Sequence, residues 1–402
     1  MPPPLISIER ARELVLAHTR PRGPQRVDVD DALDRVLAQD VQATGDVPPF
    51  ACSAMDGFAI IDGPGGRTLR VAGESRAGTP SDRTLQDGEA IRISTGAAVP
   101  AGATAVIRQE DTDTNATGTE VTVHERVEPG QNIRHPGEDM RAGTQVLSAG
   151  TIMRAAELGA AVAAGAGELI VSRQPVVQVL STGDELRAPG EPLGPGEIHN
   201  SNAPMLVGLS THCGAIATPA QRLPDDPAAT ERALGEALER ADVTIVSGGV
   251  SVGPHDHVKP ALAALGVVEV FWGVSLQPGK PTWFGTAGEK LVFGLPGNPV
   301  SAFVTFSLFA RPALYAMQGA QEDHLLDTEA VLATAVKRNP NREMALRVRL
   351  ERLDGSTVAL PNGPQASHIV SSLLGADALA LIPAGEGEAP AGTRVRLAPL
   401  AR

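Results

Sequence analysis

The feature that most constrains the fold is a run of β-branched residues that ends in glycines. Val243 to Val246 is predicted to be a strand, and the sequence ADVTIVSGGVSVGPHD carries it through a turn to Asp256. Such runs, bounded by glycine, are typical of strands buried on both faces of a parallel sheet. Ligands of these sheets lie beyond the carboxyl ends of the strands. The turn is also compatible with a plain connection in which Asp256 caps the next helix.

Residues 175–320 repeat this pattern, because predicted strands alternate there with predicted helices. Strands Val176–Leu180 and Leu291–Phe293 run into polar or glycine loops, as the first strand does. The alternation predicts a parallel sheet with right-handed crossovers, so the three loops should meet at one edge. This convergence favours a ligand site at the glycine turn. The other predicted elements are helices Asn200–Cys213, Pro227–Arg240, His257–Leu265 and Pro299 to about Met317, and strand Val267–Trp272.

The segments on either side of residues 175–320 show different sequence patterns. Helices are predicted over Ile8–Ala17, Val29–Leu37 and Thr151–Ala164 from their apolar spacing and caps. Short strands with frequent glycine predict a small β-rich domain over Leu69–Val127. The end of the chain returns to strands, which are Ala345–Leu350, Thr357–Leu360, Ala378–Ile382 and Arg394–Leu397.

Charge and cysteine content narrow the class of partner and the compartment. The net charge of −13 argues against a nucleic-acid or anionic-membrane partner. Cys52 and Cys213 lie far apart, match no metal-ligand spacing and suit a reducing compartment. The first seven residues lack the pattern of a secretory signal, and no uncharged apolar run is long enough to span a bilayer. A cytoplasmic protein is therefore expected.

Polar residues at strand ends and in loops are candidates for a site in the first half as well. Asp56 precedes a glycine, Thr95 follows a strand, and Arg134 and Asp139 share the loop NIRHPGEDMRAG. Hydroxyls and carboxylates at such positions serve either turn structure or ligand binding. Spacing alone does not decide between the two.

Seven stretches in order carry a resemblance that spans essentially the whole chain. They are PPFACSAMDGFAI, IRISTGAAVPAGATAVIRQED, NIRHPGEDMRAG, VLSTGDEL, SGGVSVGPHD, QPGKP and LPGNPVSAF. Together they resemble the MoeA family of molybdopterin molybdenumtransferases, whose eukaryotic relatives are the gephyrin E domain and the plant Cnx E domain. The resemblance implies an α/β multidomain protein that forms a cytoplasmic homodimer. The active site would lie between the α/β domain of one subunit and the small β domain of the other.

The implied domains can be assigned to this chain by residue number. Residues 1–23 hold an N-terminal helix without a domain assignment. The expected domains are a linking domain (24–45 and 144–174), a small β-rich domain (46–143), a doubly wound molybdopterin-binding α/β domain (175–320) and a C-terminal β domain (321–402).

The resemblance also implies a reaction and its participants. Adenylylated molybdopterin and molybdate would be the substrates. With Mg²⁺, the phosphoanhydride is cleaved, AMP leaves, and molybdenum enters at the dithiolene. Contact with molybdopterin adenylyltransferase and with molybdoenzyme chaperones would follow from such a role.

Site residues are carried over from the family's motifs position by position. The expected catalytic residues are Asp56, Thr95, Asp139, Glu185 and Asp256. Hard oxygen ligands suit Mg²⁺, and the expected metal ligands are Asp184, Glu185 and Asp256. The expected substrate-binding residues are Arg134, Ser181, Thr182, Gly183, Ser247, Gly248, Gly249, Ser251, Gly253, Lys280, Pro296, Gly297, Asn298 and Ser367.

One departure from the family pattern concerns the oxyanion. Some bacterial members carry lysines near the positions that Gly273 and Gln277 occupy here. The molybdate pocket would then depend on other groups, for which the candidates are Lys280, Arg342, Arg347 and the loop of Ser367. The missing lysines also leave a catalytically silent paralogue as an alternative. A molybdopterin adenylyltransferase-like enzyme and a gephyrin-like scaffold without activity are the others.

Overall fold

The computed structural model describes residues 4–223, 226–249, 257–321, 326, 328–353 and 355–400. Three large sheets organise the chain. The central sheet, on which the site is built, has seven strands. In spatial order, six of them are Ile216–Ala217, Val176–Thr182, Val243–Ser247, Lys290–Leu295, Trp283–Ala287 and Val268–Trp272, and Gln221–Leu223 also pairs with Val176–Thr182.

The sheet is parallel only in part, which corrects the sequence prediction. The strands up to Lys290–Leu295 pair in parallel, as expected. Trp283–Ala287 was not predicted, and it forms an antiparallel hairpin with Lys290–Leu295. The predicted strand Val267–Trp272, observed as Val268–Trp272, pairs antiparallel with Trp283–Ala287. A tight turn permits this antiparallel edge, whereas a parallel strand would need a long crossover.

The three strands that precede the predicted ligand loops are direct neighbours in the sheet. Their register places Ser181 beside Ser247 and Ser247 beside Leu295. All three loops therefore leave the sheet at the same edge. The sequence prediction of one common edge is confirmed.

The helices of the central part follow the predicted pattern with small shifts at their ends. Asp226 caps its helix by accepting a hydrogen bond of 2.8 Å from the backbone N–H of Ala229, and Pro227 occupies the first turn. The helices are Asn202–His212, Pro227–Arg240, Val258–Ala264 and the continuous run of Pro299–Thr305, Phe306–Ala310 and Arg311–Met317.

Two helix predictions in the first half need correction. The segment predicted as helix Val29–Leu37 contains only a short turn, Val29–Asp31, because Val36 and Leu37 form β-bridges and are buried. Asp34 adopts a left-handed φ of +59°, which a continuous helix cannot contain. The helix predicted from Thr151 begins only at Ala155 and ends at Ala163.

The first helix is Ile8–His18, capped by the Ser7 side chain, as predicted. Its buried face of Ile8, Ala11 and Val15 belongs to the same hydrophobic cluster as the central sheet. The N-terminal helix is thus part of the central core.

The small β-rich part is a six-stranded mixed sheet. Its strands, in spatial order, are Ala105–Arg108, Gly57–Ile60, Glu89–Ile93, Arg67–Ser75, Glu120–Val123 and Thr112–Thr114. Strand Ile133–Arg134 pairs separately with Cys52–Ser53. Gly57 is required for the close pairing, since a Cβ there would lie 1.9 Å from the carbonyl oxygen of Ile107.

Two short ladders join the segments that were assigned to a linking domain. Pro24–Asp28 pairs with Glu168–Ser172, and Val41–Gln42 pairs with Gln145–Leu147. The chain thus leaves for the six-stranded sheet and returns from it through adjacent strands.

The C-terminal strands close into a barrel. Glu343–Leu353 pairs with both Ser356–Pro361 and Ala378–Ile382, and the ring is completed through Thr328–Leu332 and Arg394–Pro399. Leu276–Gln277, which leaves the central part, adds to Glu343–Leu353 in parallel. This pairing ties the barrel to the central sheet beside the site.

The Pro299–Met317 run is long and apolar enough to cross a membrane by length and composition. However, 78% of its most apolar window is buried inside the protein, where it packs against the central sheet. A buried core helix accounts for this composition.

Replacing Phe293 tests the central core. Phe293 is fully buried and its ring centroid lies 4.9 Å from that of Phe284, so Phe293→Ala should cost about 3–5 kcal/mol of unfolding free energy. Urea denaturation followed by tryptophan fluorescence measures the loss. Val268→Ala, on the 65% exposed end of the edge strand, is the control and should change stability by about 0.5 kcal/mol or less. Equal effects would contradict this packing.

Candidate functional site

A cavity of about 580 Å³ opens at the carboxyl ends of the three parallel strands. It is surrounded by the strand-end loops, the start of helix Asn202–His212 and one loop of the C-terminal barrel. The described residues that line it are Ser181, Thr182, Glu185, Leu186, Ile198, His199, Asn200, Ser201, Asn202, Ser247, Gly248, Gly249, Pro281, Pro296, Gly297, Asn298, Pro299 and His368. Nine of the predicted site residues are among them.

The glycine turn forms one wall of this cavity and requires glycine at two positions. Gly248 and Gly249 have φ values of +88° and +64°. A Cβ on Gly249 would lie 2.6 Å from Thr182 Cγ2 and 2.8 Å from Val258 Cγ2. The N–H of Gly248 donates to the carbonyl of Leu295, which fixes the turn on the neighbouring strand. Both positions therefore favour glycine, and their backbone lines the cavity without side chains.

Asn202 is a site residue that sequence reasoning missed. Its Nδ2 donates to Ser247 Oγ at 2.8 Å and to the carbonyl oxygen of Gly297 at 2.7 Å, so it joins two of the three loops. Its neighbour Asn200, the first residue of the predicted helix, accepts a hydrogen bond from the N–H of Ala203. The stretch IHNSN, which enters a helix opposite three strand ends, was the available signal.

Two buried oxygen atoms of residues that line this cavity have no hydrogen-bond partner among the described residues. They are Oδ1 of Asn202, which is 8% exposed, and Oγ of Ser181, which is 1% exposed. Unpartnered buried polar atoms cost about 1–3 kcal/mol each. They are therefore polar groups that the described part of the chain leaves unsatisfied beside this cavity.

The loop after Val176–Thr182 directs its two carboxylates to different places. Gly183 has a φ of +142°, and the Glu185 carboxylate folds back over it and lines the cavity. Asp184 instead lines a second cavity of about 740 Å³, next to the short parallel pair of strands Leu186–Arg187 and Ile198–His199. The expected metal ligands Asp184 and Glu185, which are adjacent in the chain, thus line two neighbouring cavities.

The C-terminal barrel supplies the outer wall. Asn298 Nδ2 donates to Ser367 Oγ at 3.0 Å, and the backbone N–H of Val300 donates to the Ser367 carbonyl. His368 lines the cavity next to them. Asn298 and Ser367, both predicted substrate contacts, are in direct contact with each other.

Arg347 lies beneath this wall, fully buried inside the barrel. Its Nε donates to Ser372 Oγ, and its Nη2 donates to the carbonyl oxygen of Pro364 and, at 3.4 Å, to that of Ala366. Burial lowers the pKa of its guanidinium to about 10. Arg347 was a candidate oxyanion contact, but the structure instead places it as the support of the Ser367 loop.

Gly273 and Gln277, the positions near which some relatives carry lysine, have structural roles here. Gly273 has a φ of +89°, a left-handed conformation that a lysine adopts only with strain. The Gln277 side chain accepts a hydrogen bond from Asn339 of the barrel. Lys280 is exposed and precedes Pro281, which lines the cavity. Of these three positions, only Lys280 offers a cation close to the cavity.

A second group of predicted residues lies around the six-stranded sheet. The backbone N–H of Thr95 donates to Asp56 Oδ1 at 2.7 Å. On one side of segment 51–56, the backbone of Ser53 forms hydrogen bonds with Gly96 and Ala97 of the Thr95 loop. On the other side, Cys52–Ser53 pairs with the strand that carries Arg134. Asp56, Thr95 and Arg134 therefore share one exposed surface.

The loop of Asp139 is anchored nearby by backbone contacts. The N–H of Asp139 donates to the carbonyl of Val47, and the Asp46 carboxylate accepts from the N–H of Ala142. The Asp139 side chain itself is exposed. This loop is ordered by Asp46 and Val47, and it leaves Asp139 available to a ligand.

The two groups remain separate within the described parts of one chain. Every described residue that lines the first cavity belongs to 175–320 or to the C-terminal barrel. Within the described ranges, no three or more His, Cys, Asp or Glu side chains are arranged to hold a metal ion. The predicted residues Ser251, Gly253 and Asp256 lie outside those ranges.

Family models match three consecutive parts of the chain. Residues 6–165 match the MoeA N-terminal region (domain I and II), residues 178–316 match a probable molybdopterin binding domain, and residues 329–400 match the MoeA C-terminal region (domain IV). The matched parts follow the three sheets.

Curated relatives match over nearly full length. The chain is 35% identical to the molybdopterin molybdenumtransferase of Haemophilus influenzae, covering 98% of each chain. It is 37% identical to molybdopterin molybdenumtransferase 2 of Mycobacterium tuberculosis, covering 97% of this chain and 98% of the relative. Among solved structures, the molybdopterin biosynthesis MoeA protein of Pyrococcus horikoshii OT3 is similar, with a TM-score of 0.80, 31% identity and coverage of 99% and 100%.

Replacing Gly249 tests the glycine turn. Gly249→Ala places a Cβ against Thr182 and Val258 at a positive φ, and should destabilise the protein by about 1–3 kcal/mol. Gly235→Ala is the matched control, because its Cβ meets only Leu265 Cδ2 at 3.5 Å and its helical backbone favours alanine. Thermal unfolding should show a lower midpoint for the first variant and an unchanged or higher one for the second. The reverse order would contradict the turn geometry.

Proposed function

The chain belongs to the MoeA family of molybdopterin molybdenumtransferases, and from this premise we propose that it uses molybdate and adenylylated molybdopterin and releases AMP. Membership makes the protein a transferase of molybdenum cofactor biosynthesis. The observation that carries the proposal is the cavity at the three strand ends, with its glycine turn and its two unpartnered buried oxygens. Such a cavity suits a polar, phosphorylated ligand.

Charge supports a site that is completed by a second subunit. The substrates are anionic, yet the described residues that line the cavity include no lysine or arginine. Arg134 lies on the exposed surface that it shares with Asp56 and Thr95. We propose a homodimer in which this surface of one subunit closes the cavity of its partner, so that Arg134 neutralises a phosphate by bidentate contact.

The donor set fits Mg²⁺. Glu185 lines the first cavity, and Asp184 carries a second carboxylate on the adjacent residue, with no salt bridge to it among the described residues. Magnesium is bound in proteins by one or two carboxylates together with waters and substrate phosphates, so a third protein ligand is not required. We propose Asp184 and Glu185, with Asp256, as its ligands. When bound, Mg²⁺ would neutralise the anhydride charge and polarise its phosphoryl oxygen.

The reaction then requires a base and a leaving group. Water adds to a phosphoryl phosphorus, the bridging P–O bond breaks, and AMP leaves with the bridging or the water oxygen, depending on which phosphorus is attacked. A carboxylate takes the proton of the water. Asp56 is suited to this step because the N–H of Thr95 fixes one of its oxygens. Asp139 is the second exposed carboxylate of the same half.

The oxyanion would bind at the outer wall. Asn298 lines the cavity and donates its amide to Ser367 Oγ, and the exposed Lys280 next to Pro281 supplies a positive charge. These groups match the hydrogen-bond acceptors and the negative charge of molybdate. We propose them as its contacts in place of the lysines found in some relatives.

We also propose the division into domains, the cellular location and the protein partners. The division into the linking, small β, α/β and C-terminal domains is supported by hydrophobic clusters that are confined to the linking, small β and C-terminal parts. A cytoplasmic location, transfer from molybdopterin adenylyltransferase and delivery to molybdoenzyme chaperones follow from the proposed reaction.

The direct test is release of AMP. Purified protein given adenylylated molybdopterin, molybdate and Mg²⁺ should release AMP and yield cofactor that reconstitutes a molybdoenzyme. Omission of Mg²⁺ should reduce the rate at least about tenfold, if the metal contributes a typical catalytic share. AMP release no faster than in a protein-free control would contradict the proposal.

Mixed dimers test whether the site is shared. Asp56→Ala and Glu185→Ala should each lower AMP release by about 100-fold or more with the fold intact, since each removes a group that handles charge or protons. Dissociating and reassociating the two variants in equal amounts should restore about a quarter of wild-type activity, because half of the dimers then hold one intact site. Absence of recovery, with dimer exchange shown by mass spectrometry, would place both residues in the same site of one chain.

A further inference from the structure

We infer that Asn202 positions the Ser247 hydroxyl for the phosphorylated substrate and holds the glycine turn against the loop after Lys290–Leu295, and this inference rests on the proposed function. Asn202 is the first residue of helix Asn202–His212 and is 8% exposed. It lines the first cavity together with Ser247 and Gly297. An amide carries no charge and exchanges no proton at neutral pH, so Asn202 acts through the groups that it holds.

The orientation of the Asn202 amide is fixed by the chemistry of its partners. Its Nδ2 donates to the carbonyl oxygen of Gly297 at 2.7 Å, and a carbonyl oxygen only accepts hydrogen bonds. The end of the amide that meets Gly297 must therefore be the nitrogen. The other hydrogen of Nδ2 goes to Ser247 Oγ at 2.8 Å. Turning the amide over would lose both bonds and place Oδ1 against the Gly297 oxygen.

This orientation decides how the Ser247 hydroxyl is used. An amide nitrogen donates and does not accept, so Ser247 Oγ is the acceptor and keeps its own hydrogen. Within the described residues, Asn202 is the only hydrogen-bond partner of the Ser247 side chain. A hydroxyl that accepts one hydrogen bond is polarised toward donating another. Because Ser247 ends strand Val243–Ser247 and lines the first cavity, its O–H is suited to a phosphate oxygen of the substrate.

Asn202 also fixes the distance between two of the loops. The turn at Gly248 and the loop at Gly297 lie close together, since a Cβ on Gly297 would lie 3.9 Å from Gly248 Cα. The N–H of Gly248 donates to the carbonyl oxygen of Leu295 on the neighbouring strand. Asn202 adds a contact to each of the two loops from the start of a helix. Because a displacement of about 1 Å costs about 100-fold in rate, these contacts bear on the reaction from a distance.

The substitution Asn202→Asp makes this contact depend on pH. It keeps the shape of the side chain, but an ionised carboxylate has no hydrogen to donate to Gly297 or Ser247. Burial raises the pKa of such a carboxyl above its ordinary value. Below that pKa the protonated carboxyl donates one hydrogen bond, so part of the contact returns. Among the described residues, the titratable groups that line the cavity are Glu185, His199 and His368, and they are the same in the wild type and the variant.

Binding of inorganic pyrophosphate in the presence of Mg²⁺ tests the role of Asn202 without turnover. At pH 8, calorimetric titration should show an affinity about tenfold or more lower for Asn202→Asp than for the wild type, because the donor to Ser247 is lost. At pH 6 the difference should shrink to about threefold or less, because the protonated carboxyl restores one hydrogen bond.

Gln318→Glu is the matched control for burying a carboxyl in place of an amide. Gln318 is 1% exposed, its Nε2 donates to the carbonyl oxygens of Cys213 and Leu314 at 2.7 and 2.9 Å, and it lines neither cavity. Gln318→Glu should lower the midpoint of thermal unfolding at pH 8. Its affinity for pyrophosphate should equal that of the wild type at both pH values.

Removal of the hydroxyl tests the same contact from the other side. Ser247→Ala should lower the affinity for pyrophosphate about threefold or more at both pH values. The variant that combines Asn202→Ala with Ser247→Ala then tests whether Asn202 acts through Ser247. Its loss of affinity should be smaller than the product of the two single losses by about threefold or more.

Other outcomes overturn the inference. Unchanged pyrophosphate affinity in Ser247→Ala, or no pyrophosphate binding by the wild type at millimolar concentration, contradicts it whether or not the Asn202 variants fold. An equal deficit of Asn202→Asp at pH 6 and pH 8, or single losses that multiply in the combined variant, contradicts it as well. Failure of AMP release in turnover, with pyrophosphate binding as expected, would contradict the proposed function and leave the role of Asn202 standing.

Discussion

The parallel register of three neighbouring strands is the constraint on which the site depends. Ser181, Ser247 and Leu295 lie side by side across these strands, so their loops begin at the same height. Asn202 then links two of the loops with two hydrogen bonds from one amide. A slip of one residue in any of these pairings would exchange the two faces of that strand and separate the loops. The cavity is thus a product of backbone pairing before any side chain contributes to it.

Sequence reasoning recovered what depends on local pattern. The buried strands and the common edge of the three loops follow from residue type and spacing, and the structure confirms them. The antiparallel edge was missed because Trp283–Ala287 lies between glycine-rich turns and resembles a loop in periodicity. The helix predicted over Val29–Leu37 failed since its apolar residues are used for β-bridges with segments more than 100 positions away.

The residues of the site could be predicted from the sequence, but their distribution between the two cavities could not. Asp184 and Glu185 are adjacent in sequence, and no pattern indicates that they face different cavities. Asn202 was missed because its role is fixed by two loops that lie 45 and 95 positions away. The role of Arg347 depends on its burial inside the barrel. Arginine is mostly exposed in proteins, so the residue type does not indicate this burial. These features depend on tertiary structure, and no local sequence pattern predicts them.

The hydrogen bonds that hold the outer wall of the cavity determine how the site unfolds. The loop of Ser367 is held from inside the barrel, by a guanidinium whose hydrogen-bond partners are neutral oxygens. Freeing the loop would strand that buried charge, so the loop cannot peel away on its own at low cost. Denaturant or heat should therefore open this side of the site only when the barrel itself melts. Inactivation and barrel unfolding would then share one cooperative transition.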